Sequence, residues 1–397
     1  MFIGRENEIH QMNEWKDKHV IKVITGLRRV GKSKILQEFI KDNLSSSNVI
    51  YYDFNKIELE KLTYPQLYDE IIKKSKNNQT NYVILDEIQE ITNFEKCIIG
   101  LYENTTFKFD IYLTGSNSHM FSSELRTLFS GRKIELSIFP LSYNELFRSL
   151  KISLNDYLKF GGLGVIVSYY SNEQLIKKYL SEIFNDTIVK DAIERYKIKN
   201  TRLFEAILEY TFKTIGKNTN YSNIFNYLKT NSKKSNYSLS SIIRMNGQIC
   251  ESMILMKVKY FDNKAKSELS NKAKFYCGDL GLLNSKINFS VFDSFRGVRI
   301  ENLIFLELKK RGYDVFTYCD KNNTEIDFIA FKENDYTYIQ VCDELNNDNY
   351  KREVGNLLKV KVAFKKVVLY LTNTAFLEED GVKKIEISRW LKNEIDW

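Results

Sequence analysis

Gly26-Leu27-Arg28-Arg29-Val30-Gly31-Lys32-Ser33 spaces two glycines, a lysine and a hydroxyl in the order G-x-x-x-x-G-K-S. That spacing suits a polyphosphate. Backbone N–H groups of such a loop curl around phosphate oxygens, the lysine reaches the β- and γ-phosphates, and the serine hydroxyl ligates Mg²⁺. Gly31 permits close backbone approach, and Lys34 continues the run. An acidic pair farther on, Asp86-Glu87, supplies what the loop lacks. Asp86 fits the carboxylate that holds Mg²⁺ through water, and Glu87 fits the group that polarises an attacking water. The chemistry implied is binding of ATP with Mg²⁺ and its hydrolysis to ADP and phosphate. Lys32, Ser33, Asp86 and Glu87 form its core, with Ser33 and Asp86 as the metal ligands.

Further polar residues fall at informative places. Ser116 and Asn117 follow an apolar run and are candidates to touch the γ-phosphate or its water; either could instead cap a helix. Arg132, with Arg126 as the second choice, is placed to act as a finger on a neighbouring subunit's γ-phosphate. Its alternative is an ordinary salt-bridging surface arginine.

Regular elements must position these groups. Val20–Thr25 is a short β-rich run ahead of the loop, and Ile35, Leu36, Phe39, Ile40 and Leu44 recur at helical spacing after it. The anion therefore meets a helix N-terminus. Asn81–Leu85 is a second buried strand ending on Asp86, Phe107–Leu113 a third, and Lys133–Ile138 a fourth that alternates.

Together these pieces resemble AAA-type ATPases of the archaeal-ATPase kind, whose C-terminal part is a domain of unknown function related to restriction endonucleases. Ile3-Gly4-Arg5-Glu6-x-Glu8 resembles that family's opening box, which contacts the adenine end. The paired arginines Arg28 and Arg29, Leu85-Asp86-Glu87-Ile88-Gln89, Leu113–Ser116, Ser130–Arg132 and Phe139–Glu145 are similar to its later landmarks. Gly161-Gly162-Leu163-Gly164 resembles its Gly-Gly-Leu-Pro turn with glycine for proline. The likeness continues past residue 340 and implies a three-layer αβα core, followed by a winged-helix-like insert and a nuclease-like tail.

In the middle of the chain, Arg202–Lys213 has helical periodicity, Ser222 could cap a second helix, and Ser238 a third. A hairpin through Met256–Phe261 and around Lys274 follows. Three helices and a hairpin suggest a winged helix whose third helix exposes Ser240, Ser241, Arg244 and Asn246 to a DNA groove. Lys257, Lys259, Lys264 and Lys266 would lie near phosphates. Winged helices also dock proteins, so both partners stay open. From Arg195 to Lys274 there are 16 Lys/Arg against 5 Asp/Glu, in a chain whose net charge is +8. A basic segment of this kind suggests an anionic partner, most simply nucleic acid.

Farther on, Arg299–Leu308, Glu325–Ile329 and Tyr336–Val341 give a helix–strand–strand order like a restriction-endonuclease core. Active members pair an acid at a strand end with an acid and a lysine on the next strand. Here Asp327 is the first acid, with Glu301 in reach, but the second acid position is Gln340 and the lysine position Cys342. Gln is a poor Mg²⁺ ligand and Cys carries no fixed positive charge, which points away from nuclease activity.

The five cysteines form no C-x-x-C pair and there are three histidines, so neither a zinc site nor a disulfide framework is indicated. The opening Met1–Glu6 does not read as a signal peptide, and no apolar run of about 18 residues suggests a membrane span. A cytoplasmic protein is expected. The reading is an α/β chain: residues 1–150 an ATPase core, 151–195 a helical lid or linker, 196–276 a winged-helix-like domain, and 277–397 a degenerate nuclease-like domain. It would work as a homo-oligomeric, nucleic-acid-associated ATPase or switch. The rivals are an ATP-gated DNA endonuclease and a signalling or scaffold protein that binds nucleotide with little turnover.

Overall fold

A computed structural model describes residues 3–56, 62–115, 128–231, 237–262, 267–287, 295–320, 324–360, 364–375 and 381–397. The chain divides into two compact units, Met1–Phe139 and Pro140–Trp397.

The first unit contains α1 (Glu6–Trp15), β1 (Ile21–Gly26), α2 (Lys32–Asn43), β2 (Asn48–Asp53), α3 (Tyr64–Lys74), β3 (Thr80–Asp86), α4 (Phe94–Tyr102), β4 (Lys108–Thr114) and β5 (Lys133–Ile138). Its strands form one sheet in the order β2-β3-β4-β1-β5, and every pairing is parallel. Strands alternating with helices can pair this way only through crossovers, which place helices on both faces. The side chains bear this out. Ile21, Val23, Val83, Leu85, Ile111 and Leu113 share a core with Leu67 and Ile71 of α3 and Ile98 and Leu101 of α4. The alternate positions face the other way: the Tyr112 ring lies 5.3 Å from Phe39 of α2. Burial on both faces explains why β1 is buried at all six positions and reads as an unbroken apolar run. Its one charge, Lys22, is fully buried and ion-paired to Asp110 of β4. The three-layer αβα core is thus present, with β4 between β1 and β3.

The second unit contains α5 (Tyr143–Leu150), α6 (Leu154–Phe160), α7 (Glu173–Glu182), α8 (Lys190–Arg195), α9 (Thr201–Lys213), α10 (Tyr221–Asn231), α11 (Leu239–Glu251), β6 (Leu255–Asp262), β7 (Ser267–Cys277), α12 (Leu280–Ile287), α13 (Arg296–Lys310), β8 (Asp314–Cys319), β9 (Glu325–Lys332), β10 (Asp335–Leu345), α14 (Asn347–Lys359), β11 (Lys365–Asn373), β12 (Lys383–Glu386) and α15 (Ile387–Leu391). One seven-stranded sheet, β12-β11-β10-β9-β8-β6-β7, runs through it. The β6–β7 hairpin joins this sheet by a parallel pairing of Tyr260 with Thr317.

The Gly161-Gly162-Leu163 turn is fixed within this unit by Asp279. Its buried carboxylate accepts the N–H groups of Gly162, Gly281 and Leu282. A Cβ on Gly162 would fall 2.0 Å from the Leu141 carbonyl oxygen, and one on Gly281 2.2 Å from that of Phe160, so backbone contact requires glycine at both.

Two local expectations need correction. Helix α10 begins one residue before Ser222, and the Asn220 carboxamide accepts the Asn223 N–H in the capping role assigned to Ser222. Asn246 is buried, not exposed: it shares the inward stripe of α11 with Ile242, Met245 and Ile249. Ser238 does cap α11, by accepting the Ser241 N–H.

Candidate active site

The Gly26–Ser33 loop joins the C-terminal end of β1 to the first turn of α2. Gly31 is the N-cap of α2, at φ 107°, and no side chain caps that helix start. Ser142, Asn200, Ser238 and Asn346 side chains cap their helices, whereas α1, α4, α13 and α15 also start without a side-chain cap. The first N–H groups of a helix need partners, and at α2 a bound anion can be one. Gly26 sits at φ 153°, and a Cβ there would lie 2.5 Å from the Ile138 carbonyl oxygen. Val30 is buried, Arg28 half-buried, and Arg29 and Lys34 exposed. Arg29 occupies left-handed backbone, φ 68°, an uncommon conformation for a side-chain-bearing residue.

Lys32 is 5% exposed; its Nζ donates to the Gly26 carbonyl at 3.1 Å and lies 3.6 Å from Glu87 Oε1. The loop is thereby closed base to crown around an ammonium that faces a carboxylate. Asp86 ends β3 fully buried. Burial pushes its carboxyl up, while hydrogen bonds from Ser33 and Thr114 pull it back toward ionisation. The Ser33 hydroxyl and Asp86 carboxylate thus lie within hydrogen-bond reach of each other, a hard-oxygen pair that fits Mg²⁺. Glu87 follows at φ 56°.

Three residues without an assigned role complete the cluster. Thr114, the last residue of β4, donates its hydroxyl to Asp86 Oδ1 and accepts the Glu87 N–H at 2.9 Å. Tyr51 of β2 donates to Asp86 Oδ2 at 3.3 Å. Gln89 donates to Glu87 Oε2. The register brings them in: Asp53 pairs with Asp86 and Leu85 with Leu113, so the ends of β2, β3 and β4 lie together.

Ser116 and Asn117, with Arg126, lie outside the described residues. Arg132 immediately precedes β5, and its carbonyl accepts the N–H of Ile21, at the start of β1. That is the end of the sheet away from the loop. Arg132 lies 3.1 Å from Glu103 and over the Tyr102 ring. Within one subunit it does not join the cluster.

In the second unit, Glu301 of α13 and Asp327 of β9 do come together, and around a cation that the strand motif does not contain. Lys274 of β7 is 2% exposed, with its Nζ 3.1 Å from Glu301, 2.9 Å from Glu325 and 3.5 Å from Asp327. Tyr276 also donates to Glu301, and the Val341 N–H donates to Asp327 Oδ2. Burial would lower the Lys274 pKa; Tyr276, Glu301, Asp327 and Glu325 outweigh it and hold the amine well above its usual value. Burial and the Glu301 charge raise the Asp327 carboxyl. Gln340 and Cys342 stand on β10 as read from the sequence, and Cys342 is buried.

All five cysteines are free. Among the described residues, no group of three or more His, Cys, Asp or Glu is arranged to hold a metal, and no helix is long and apolar enough to cross a membrane.

Comparison with known proteins places this geometry. A family model described as an AAA domain matches residues 18–147, and a model for a domain of unknown function, DUF8612, matches residues 151–293. The second match is to a domain of unknown function and gives no support to the restriction-endonuclease relationship implied by the resemblance. An uncharacterized protein of Haemophilus influenzae is 30% identical over 405 aligned positions, covering 98% of each chain. The uncharacterized protein MJ1544 of Methanocaldococcus jannaschii is 28% identical, covering 92% of this chain and 84% of its own. Among solved structures, the Walker-type ATPase PABY2304 of Pyrococcus abyssi superimposes with a TM-score of 0.50 at 15% identity, over 72% of this chain and 96% of its own, a likeness of fold. With a parallel β2-β3-β4-β1-β5 sheet and an AAA-domain match over its loop and acidic pair, the chain belongs to the AAA-type P-loop ATPase family.

Proposed function

We propose that this protein binds ATP in the Gly26–Ser33 loop and hydrolyses it to ADP and phosphate. The observation that carries the reading is the convergence of Lys32, Ser33, Asp86, Glu87 and Thr114 at the uncapped start of α2. The loop N–H groups and Lys32 bind the phosphates, with Lys34 and the paired Arg28 and Arg29 as further cations at the rim. Ser33 and Asp86 would hold Mg²⁺, which supplies charge neutralisation between the phosphates. Glu87 orients the attacking water and takes its proton. Gln89 fixes the Glu87 carboxylate, and Thr114 ties Asp86 to the Glu87 backbone. Ser116 and Asn117 keep their proposed place near the γ-phosphate. The test is the ATPase rate of Lys32→Ala and Glu87→Gln. Both should lose turnover, and unchanged turnover in both sinks the assignment.

The finger role of Arg132 acts between copies of the chain. If sites are shared, a mixture of Glu87→Gln and Arg132→Ala protein regains activity that neither has alone.

The middle of the chain supports a winged-helix reading with nucleic acid as partner. Helices α9, α10 and α11 pack on one another. Thr219 makes a single antiparallel bridge to Ala273 of β7. Ser240 and Arg244 are exposed on α11, and Lys259 on β6. Stimulation of the ATPase by duplex DNA, declining as salt rises, is the expected result. Absence of stimulation or binding at low salt favours a protein partner. The order α13-β8-β9-β10-α14-β11 supports a nuclease-like core, and the engagement of Lys274 with its three carboxylates supports a scaffold role without cleavage.

A further inference from the structure

The resemblance assigns the opening box to the adenine end of the nucleotide. The Arg5 side chain is turned to the phosphate loop. It is 3% exposed, and its guanidinium makes three bonds: to Glu8 Oε1 at 2.9 Å, to the Phe139 carbonyl at 2.6 Å, and to the Val30 carbonyl at 3.0 Å. Val30 belongs to the crown of the phosphate loop. Phe139 follows β5, whose last residue Ile138 pairs with Gly26 at the loop's base. One planar cation thus spans the crown of the loop and the sheet edge beside its base.

We infer that Arg5 is a positioning residue for phosphate binding: it sets the Val30–Gly31 peptide of the loop and does not read the base. The peptide is planar and trans, so its C=O and N–H point in opposite directions. With the Val30 carbonyl turned to Arg5, the Gly31 N–H turns to the opposite side, where a phosphate oxygen can accept it. Without that donor, the carbonyl of a loop that carries φ 68° at Arg29 and φ 107° at Gly31 is no longer held outward. A carbonyl oxygen turned into the cradle would repel the anion. Arginine suits this work because its fork presents N–H donors in fixed directions, to the Val30 and Phe139 carbonyls at once. Glu8, 8% exposed, neutralises the buried guanidinium and holds its plane.

The inference rests on the reading of the loop as the ATP site, and one experiment separates the two. Binding of a fluorescent ATP analogue with Mg²⁺ is measured first, then its displacement by ATP and by inorganic tripolyphosphate, which has no base or ribose. The wild type, Arg5→Lys and Arg5→Ala are compared, each checked by thermal melting. If the wild type binds no analogue, the ATP-site reading fails. If it binds, Arg5→Lys should weaken ATP and tripolyphosphate by the same factor, about tenfold, the cost of one good hydrogen bond to an ionised group. Arg5→Ala should lose more, where it folds. A base-reading Arg5 gives a different pattern: ATP weakens and tripolyphosphate does not. Either that pattern, or unchanged displacement by both in a folded Arg5→Lys protein, overturns the inference. A role in stability alone lowers the melting temperature and leaves both affinities in place, which overturns it as well.

Discussion

Lys32 and Lys274 are both buried lysines facing carboxylates, one in each unit, and they are engaged in opposite ways. Lys32 donates to the Gly26 carbonyl and stands 3.6 Å from Glu87, beyond hydrogen-bond length. Lys274 has Glu325 and Glu301 at 2.9 and 3.1 Å and Asp327 at 3.5 Å. Lys32 stands at the proposed phosphate site, whereas Lys274 is a resident cation within ion-pair distance of three carboxylates, two of them at hydrogen-bond length. A lysine among carboxylates can serve catalysis or architecture, and variants at the two positions tell which.

Exchanging the test between the two positions gives the largest effects. Lys32→Met should lower ATP turnover about 100-fold or more, the scale of losing one preorganised donor to transition-state charge, with little change in melting. Lys274→Met should do the reverse. It leaves Glu301 and Asp327 facing each other without their cation and should cost about 3–5 kcal/mol of stability, with turnover retained. ATPase assays and urea unfolding on both variants settle this, and loss of turnover in folded Lys274→Met protein breaks the contrast.

Thr114→Val tests the cooperation within the first site. The hydroxyl lost there bridges Asp86 and the Glu87 N–H, and leaving both without it costs about 1–3 kcal/mol. Part of that cost should appear as a turnover lowered about tenfold, because Glu87 is then placed less firmly.

The same contrast explains what could be read in the sequence. The phosphate loop, the Asp86-Glu87 pair and the strands carrying them were legible because each is contiguous, and the spacing of a loop motif is itself the geometry. Thr114 was not: one hydroxyl closing an apolar run looks like any strand end until the register puts β4 between β1 and β3. Lys274 was hidden for a related reason. The empty lysine position at Cys342 is compensated from β7, far away in sequence, and long-range pairing is what local patterns do not encode. Arg132 was near the site in sequence order, but a parallel register places the residue before β5 beside the start of β1, a strand's length from the loop. Asn246 was legible after all: 242, 245, 246 and 249 fall at one helical spacing, so Asn246 belongs to the buried stripe.

Asp279 offers the finest test, since it is a second fully engaged charge in the second unit. It is fully buried and accepts the backbone N–H groups of Gly162, Gly281 and Leu282, yet burial dominates and pushes its carboxyl up to about 6. The sign follows from proton binding. A folded pKa above the unfolded value of about 3.9 means that the folded state holds the proton more tightly. The group's contribution therefore rises as pH falls from about 6 to about 4, and its ionised form costs stability above that window. Two pH units correspond to about 3 kcal/mol. Urea unfolding of wild type and Asp279→Asn at pH 7, 6, 5 and 4 isolates this group, because Asn keeps a carbonyl acceptor for the Gly162 turn and does not titrate. The wild type should gain on the variant steadily as pH falls through the window. A constant gap would show that the backbone N–H bonds, not burial, set this carboxyl.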